Sequence, residues 1–331
     1  MSRLEGKKVL VTGADGFIGS HLVERLVKEG AKVRALAQYN SFGSYGWLDS
    51  VEPQLLDDVE RVHGDVRDFD HMLTLLGQCD TVYHLAALIA IPYSYKAVES
   101  YVETNIRGTL NVLTAAARSN VYKVVSTSTS EVYGTPSTIP ITLDHPLQAQ
   151  SPYAASKIAA DQMCLAYGAS FGQNVCVLRP FNTYGPRQSL RAVIPSILLQ
   201  MLSGSENIEI GSTTTERDFS FVADTVDGFI KIGVVETEPG EVIQLGTGSK
   251  VSIGEVVELC RKITGCQAPL LETQERLRPE KSEVRVLLAD ASSAHERLEW
   301  RPSVELVDGL RATSEWLAST ARVGEPTRFV E

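Results

Sequence analysis

Tyr153 and Lys157 stand four residues apart at the start of a helical stretch that follows Ser151-Pro152. On an α-helix that spacing stacks the two side chains on one face, one turn apart. A lysine charge held there can lower the phenol from its ordinary value of about 10 and make it a usable base. Of the eleven tyrosines only Tyr153 has a lysine at this spacing. Upstream runs Ser128-Thr129-Ser130-Glu131-Val132-Tyr133-Gly134, which places a carboxylate beside what looks like an oxidation site.

A second constellation lies near the amino terminus. Gly13-Ala14-Asp15-Gly16-Phe17-Ile18-Gly19 separates an apolar run from a helical pattern. Glycines stand where the chain must turn tightly and where backbone must approach a pyrophosphate, and the last one lets the helix pack on the sheet. The helix amino end offers free N–H groups and a partial positive charge to phosphate. The acidic residue that usually ends the second strand and holds the adenosine ribose is missing: the segment reads Val33-Arg34-Ala35-Leu36-Ala37-Gln38, with Ala37 near the expected place. No arginine pair stands there to welcome a 2′-phosphate either, so the residues leave NAD against NADP open. Asp65-Val66 and Leu85-Ala86-Ala87 either line the adenine and ribose or simply end strands.

These residues need a frame. Lys8–Thr12 reads as a buried strand, and Ile18, Leu22, Val23, Leu26 and Val27 mark one face of a helix that stops at Gly30. Further strands are expected at Lys32–Leu36, Glu60–His63, Thr81–Leu85, Tyr122–Ser126 and Val175–Leu178, with helices near 100–119 and 153–171. Strands regularly separated by helices imply parallel pairing with right-handed crossovers. The fold class is therefore α/β, a doubly wound Rossmann-type sheet. After Pro180 the rhythm breaks. The expected division is a dinucleotide-binding domain of 1–180 plus 219–247 and a smaller, mostly carboxy-terminal lobe of 181–218 plus 248–331, with ligands in the cleft between.

The chain has 331 residues and a formal charge of −10, which disfavours nucleic acid or an anionic membrane as the main partner. Five scattered cysteines form no CxxC pair and no metal-ligand spacing, and they read as free thiols of a reducing cytosol. The longest apolar run, Leu85 to Ile91, is far short of the roughly 20 residues a membrane span needs. Met1 to Lys8 carries no apolar signal core. A cytoplasmic protein without a bound metal is expected.

Taken together, the glycine loop, His84-Leu85-Ala86-Ala87, Ser-Thr-Ser-Glu-Val-Tyr-Gly, Tyr153-x3-Lys157 and Arg179-Pro180-Phe181-Asn182-Thr183-Tyr184-Gly185-Pro186-Arg187 resemble the extended short-chain dehydrogenase/reductase family. Within it the chain looks most like the nucleotide-sugar 4,6-dehydratases, especially those acting on nucleotide-linked N-acetylglucosamine in legionaminic-acid-type pathways. Tyr-Asn-Ser-Phe at 39–42, Ala-Leu-Ile-Ala-Ile-Pro at 87–92 and Arg-Pro-Glu-Lys-Ser-Glu-Val at 278–284 carry that finer match. The resemblance implies NAD as cofactor (NADP not excluded) and a nucleotide-sugar substrate. It also implies a homodimer that pairs the helices near 100–119 and 153–171 into a four-helix bundle.

By the same resemblance Tyr153, helped by Lys157 and Thr129, removes the O4 proton while hydride leaves C4. Glu131 then takes the C5 proton, water leaves from C6, and the hydride returns there. Many 4,6-dehydratases have Asp where this chain has Ser130, and that Asp protonates the leaving hydroxyl. Here either Glu131 passes its own proton to O6 or Ser130 relays one from water.

Arg187, Arg191, Arg217 and Arg278 fall in turn-like segments, and arginine forks suit diphosphate oxygens. Arg217 and Arg278 sit in segments that match the family's phosphate contacts, whereas Arg191 is equally a solvated charge. Asn182 either hydrogen-bonds the sugar or phosphate or caps a turn. The Thr-Ser-Glu triplet also resembles UDP-glucuronate decarboxylases. A 4-epimerase needs no carboxylate at Glu131, and a non-catalytic dinucleotide-sensing protein would be expected to lack the Tyr/Lys pair or break the glycine loop.

Overall fold

The structure, a computed structural model, describes residues 3–320. The outermost parts of the expected domains, 1–2 and 321–331, and the first two residues of the Met1–Lys8 reading lie outside the described residues. Seven strands form one sheet: β1 (Lys8–Thr12), β2 (Lys32–Gln38), β3 (Glu60–Gly64), β4 (Thr81–His84), β5 (Lys123–Thr127), β6 (Val175–Pro180) and β7 (Glu241–Leu245). Their order is β7-β6-β5-β4-β1-β2-β3, and every neighbouring pair is parallel. The expected doubly wound sheet is present. The strands run one or two residues from the expected bounds at several ends, β2 and β6 each being two residues longer.

Both faces of the sheet are covered, and the alternation along β1 shows how. Val9 and Val11 point to the side packed by α1 (Phe17–Lys28) and a later helix carrying Val226 and Phe229, while Leu10 points to the side packed by α2 (Phe69–Leu76) and α3 (Gly108–Arg118). Side chains alternate across a strand, so a fully buried parallel strand reads as one apolar run. The helix near 100–119 is a short turn Val98–Tyr101, a π-helical segment Val102–Arg107 and then α3. Asn105, buried in the π segment, donates to Leu88 O and Ser156 Oγ and accepts from Leu88 N, so it clips the segment after β4 to the helix that bears Tyr153.

That helix, α4 (Pro152–Phe171), starts where Ser151 and Pro152 dictate. Ser151 Oγ accepts from Ala154 N at 3.1 Å, and proline occupies a first-turn position that has no N–H to satisfy. It ends at Gly172 in the left-handed region, φ 62°. One turn beyond Lys157, buried Asp161 accepts from Ser128 Oγ (2.7 Å) and pairs with Arg179 of β6 (3.1 Å). Arg179 also donates to the Tyr133 hydroxyl, which in turn donates to Gln244 of β7. Removing one partner of so buried a pair typically costs about 3–5 kcal/mol, so this network fixes α4 against β5 and β6 strongly.

Beyond Pro180 a separate apolar cluster joins α5 (Val193–Leu202), α7 (Ile253–Thr264) and α8 (Leu306–Ser319) through Ile197, Leu198, Val256, Leu310 and Leu317. The chain visits the sheet once more between them, through α6 (Val222–Val234), the helix that carries Val226 and Phe229, and β7. Four cysteines are buried and Cys266 is half-buried; all are free thiols. Among the described residues no helix is long and apolar enough to cross a membrane, and no group of three or more His, Cys, Asp or Glu could hold a metal ion.

Candidate active site

A cleft of about 900 Å³ opens along the carboxyl ends of β1, β2, β4, β5 and β6, the place where open parallel sheets bind ligands. One wall is the glycine loop, with Gly13, Asp15, Gly16, Phe17, Ile18 and Gly19 all on the lining. The glycines are demanded by close approach. A Cβ on Gly13, whose φ is +68°, would lie 2.8 Å from Ala86 N, and one on Gly19 would lie 2.1 Å from Gly13 O. No side chain caps α1, so its first N–H groups face the cleft for an anion. Asp65 and Val66 after β3 and Leu85, Ala86 and Ala87 after β4 line the same half. The last three are set by Thr12, whose hydroxyl accepts from both Leu85 N and Ala86 N. His84 is locked between Thr12 and Thr109, and burial pushes its imidazole down to about 3, so it stays neutral. This wall fits a dinucleotide.

The other half gathers Thr129, Ser130, Glu131, Tyr153 and Lys157. Thr129 extends to the Tyr153 phenol through a side-chain hydrogen bond and also caps the one-turn helix that presents Glu131, accepting from Glu131 N at 3.3 Å. Lys157 donates to Thr127 O at the end of β5. The expected lowering of the phenol is not found. Burial raises Tyr153 well above its ordinary value, Thr129 opposes this, and the Glu131 charge raises it further. The reason is geometric. The lysine head is turned to a backbone carbonyl and is itself pushed down by burial, with Asp161 opposing.

Of the expected substrate contacts, Asn182, Arg187 and Arg191 line the cleft and Arg217 and Arg278 do not. Those two are engaged in a chain of ion pairs: Glu131 to Arg278 at 3.5 Å, Arg278 to Glu283 at 4.0 Å and Glu283 to Arg217 at 3.1 Å. Arg278 therefore touches the site through Glu131, while Arg217 is held one step further back. Arg187 adopts φ +67° and pairs with Glu24 of α1. That contact turns it toward the helix.

Sequence reasoning missed Gln188 and Arg276, both on the lining. Arg276 ends a 3-10 turn, Gln274–Arg276, that puts it on the lining, whereas the resemblance pointed to Arg278. Three buried oxygens at the wall, Thr127 Oγ1, Asn182 Oδ1 and Gln188 Oε1, have no hydrogen-bond partner. Buried polar atoms are rarely left so, and three together suit a polyhydroxylated ligand.

The family model for GDP-mannose 4,6 dehydratase matches residues 10–313. A dTDP-glucose 4,6-dehydratase from Actinoplanes sp. is 32% identical over 93% of this chain and 97% of its own length. A UDP-N-acetyl-alpha-D-glucosaminuronate decarboxylase from Bacillus cytotoxicus is 30% identical over 94% of this chain and 97% of its own. Among solved structures, the UDP-glucuronic acid 4-epimerase from Bacillus cereus, in complex with UDP-glucuronic acid and NAD, superposes with a TM-score of 0.86. It is 31% identical, and the match covers 94% of this chain and 98% of that one.

The raised phenol gives a direct prediction. An alkaline ultraviolet titration of the dinucleotide-free protein, minus that of Tyr153→Phe, should show no tyrosinate step at or below the ordinary value of about 10. A difference step near neutral pH would contradict the burial argument.

Proposed function

The chain belongs to the GDP-mannose 4,6 dehydratase family of extended short-chain dehydrogenases/reductases, and on that premise we propose that it is an NAD-dependent nucleotide-sugar 4,6-dehydratase. It converts UDP- or GDP-linked N-acetylglucosamine to the 4-keto-6-deoxy sugar, in the cytoplasm. The observation that carries this reading is Glu131. The carboxylate shares one wall with Tyr153 and Thr129, close enough for its charge to act on the phenol.

The glycine loop and the ends of β3 and β4 hold the dinucleotide, which when bound accepts hydride from C4 and returns it to C6. Tyr153 takes the O4 proton, with Thr129 hydrogen-bonded to the phenol and Lys157 supplying positive charge beneath it. Once C4 is a ketone, the C5 hydrogen is acidic enough for a carboxylate at neutral pH, and Glu131 removes it. The C6 hydroxyl departs as water with a proton passed on by Glu131 or relayed from water by Ser130, a solvent-derived proton returning to C5 as hydride reaches C6. Each such proton transfer contributes about 10²–10⁴-fold. Arg187, Arg191 and Asn182 bind the nucleotide diphosphate and sugar. Arg217 and Arg278 are assigned the same end of the substrate through the ion-pair chain that they form. The segments 181–218 and 248–331 make up the substrate lobe.

The second reading is decarboxylation of a UDP-uronic acid, favoured by the Thr129-Ser130-Glu131 triplet and the Bacillus cytotoxicus relative. An epimerase is third, since Glu131 has no task in it. The protein is proposed to be a homodimer through the 98–118 and α4 helices, where Val98, Val102, Leu110, Met163 and Phe171 are exposed; a monomer in sedimentation velocity would rule that out.

Incubation with UDP- and GDP-N-acetylglucosamine, and separately with UDP-glucuronate, in D₂O separates these readings. The dehydratase yields a 4-keto-6-deoxy sugar with deuterium at C5. Carbon dioxide from UDP-glucuronate, with no turnover of either N-acetylglucosamine nucleotide, would establish the decarboxylase instead.

A further inference from the structure

The missing acid at the end of β2 has a counterpart on another element. Asp15 rises from the glycine loop between Gly13 and Gly16, and its carboxylate reaches the carboxyl end of β2, with Oδ2 3.4 Å from Gln38 N. Gln38 is one residue past Ala37, where the ribose-binding acid of a dinucleotide site ordinarily stands. Asp15, Gln38 and Asp65 share the cleft lining there.

The backbone of Asp15 is held in place. The loop that follows β2 closes over it, with Trp47 N donating to Asp15 O at 3.0 Å. Gly46, at φ +61°, comes so near that a Cβ would lie 2.5 Å from Asp15 O. Its carboxylate accepts from backbone N–H groups, its own and that of Gln38. Among the described residues no lysine or arginine is paired with it.

The other charges at this end of the cleft are already engaged. Asp65 is neutralised by a bidentate contact from Arg67, Nε to Oδ1 at 2.9 Å and Nη2 to Oδ2 at 2.6 Å. Asp49 accepts from Ser44 Oγ and Tyr45 N. Arg34 is paired with Glu60, and Arg61 lies 5.1 Å over the Tyr45 ring. Of these carboxylates Asp15 is the one that reaches the strand end, and among the described residues it has no ion pair. Burial raises the Asp15 carboxyl above its ordinary value, and the backbone N–H groups of Asp15 and Gln38 and the charge of His63 oppose this.

We infer that Asp15 is the residue that sets NAD over NADP in this chain, replacing from the glycine loop the acid that β2 lacks. A free ribose 2′-hydroxyl can donate to this carboxylate, whereas a 2′-phosphate brought to the same place meets like charge. The sequence pattern hides this, because the usual search looks about 20 residues downstream of the glycines rather than among them. The inference rests on the dinucleotide reading of the cleft and is independent of which sugar nucleotide is processed.

Calorimetric titration of nucleotide-free protein with NAD and with NADP tests it by affinity alone. The wild type should bind NAD at least about tenfold more tightly than NADP. Asp15→Asn, which keeps size and shape, should narrow that ratio at least about tenfold, chiefly by improving NADP. Adding Gln38→Glu to Asp15→Asn should restore the preference by returning a carboxylate to the same strand end. Asp15→Ser replaces the asparagine variant if thermal unfolding shows that variant misfolded. An unchanged ratio in a folded Asp15 variant, or equal affinities in the wild type, overturns the assignment of Asp15 while leaving the cleft a dinucleotide site. Binding of neither dinucleotide would overturn both.

Discussion

The phenol proposed as the base sits where burial opposes ionisation. Tyr153 is almost entirely enclosed, and desolvation alone moves it away from catalytic use. Thr129 opposes that cost, whereas the charges of Glu131 and Asp161 add to it. Thr129 hydrogen-bonds the phenol, and Lys157 lies one turn along the same helix. Lys157 is itself destabilised by burial and is sustained by Asp161 a further turn on. Asp161 is held by Ser128 and Arg179, so the charge balance of the site extends through α4 into β5 and β6. An oxidised nicotinamide bound in this pocket would bring positive charge that favours the phenolate. The phenol's readiness as a base is therefore a property of the loaded cleft.

The carboxylate side follows a different logic. Glu131 is presented by a single helical turn capped by Thr129, the same residue that touches Tyr153, so one side chain sets the spacing of both proton acceptors. Arg278 pairs with Glu131 and connects it through Glu283 to Arg217.

The framework was legible because its signals are local. Apolar runs of β1 and β4–β6 are buried on both faces and read as strands, Ser151-Pro152 fixes the start of α4, and the glycine loop announces its own geometry through contacts that no Cβ could survive. What stayed illegible depends on side-chain direction in irregular segments. Arg276 rather than Arg278 faces the cleft, Arg187 turns to Glu24, and Asp15 reaches across to a different strand. None of these follows from spacing, because residues 186–192 and 274–283 have no sustained period to fix which way each residue points. The phenol's shift was misjudged for a related reason: one helical turn places Lys157 near Tyr153 but does not say that its head will choose Thr127 O.

The account turns on Glu131 acting after oxidation and not before it. Glu131→Gln, mixed with the nucleotide sugar that the wild type turns over, should still reduce the bound nicotinamide, visible as the rise in reduced-cofactor absorbance. It should then stall, with release of the 4-keto-6-deoxy product slowed by about 10²–10⁴-fold. Full turnover at the wild-type rate, or failure to reduce the cofactor at all, would contradict it.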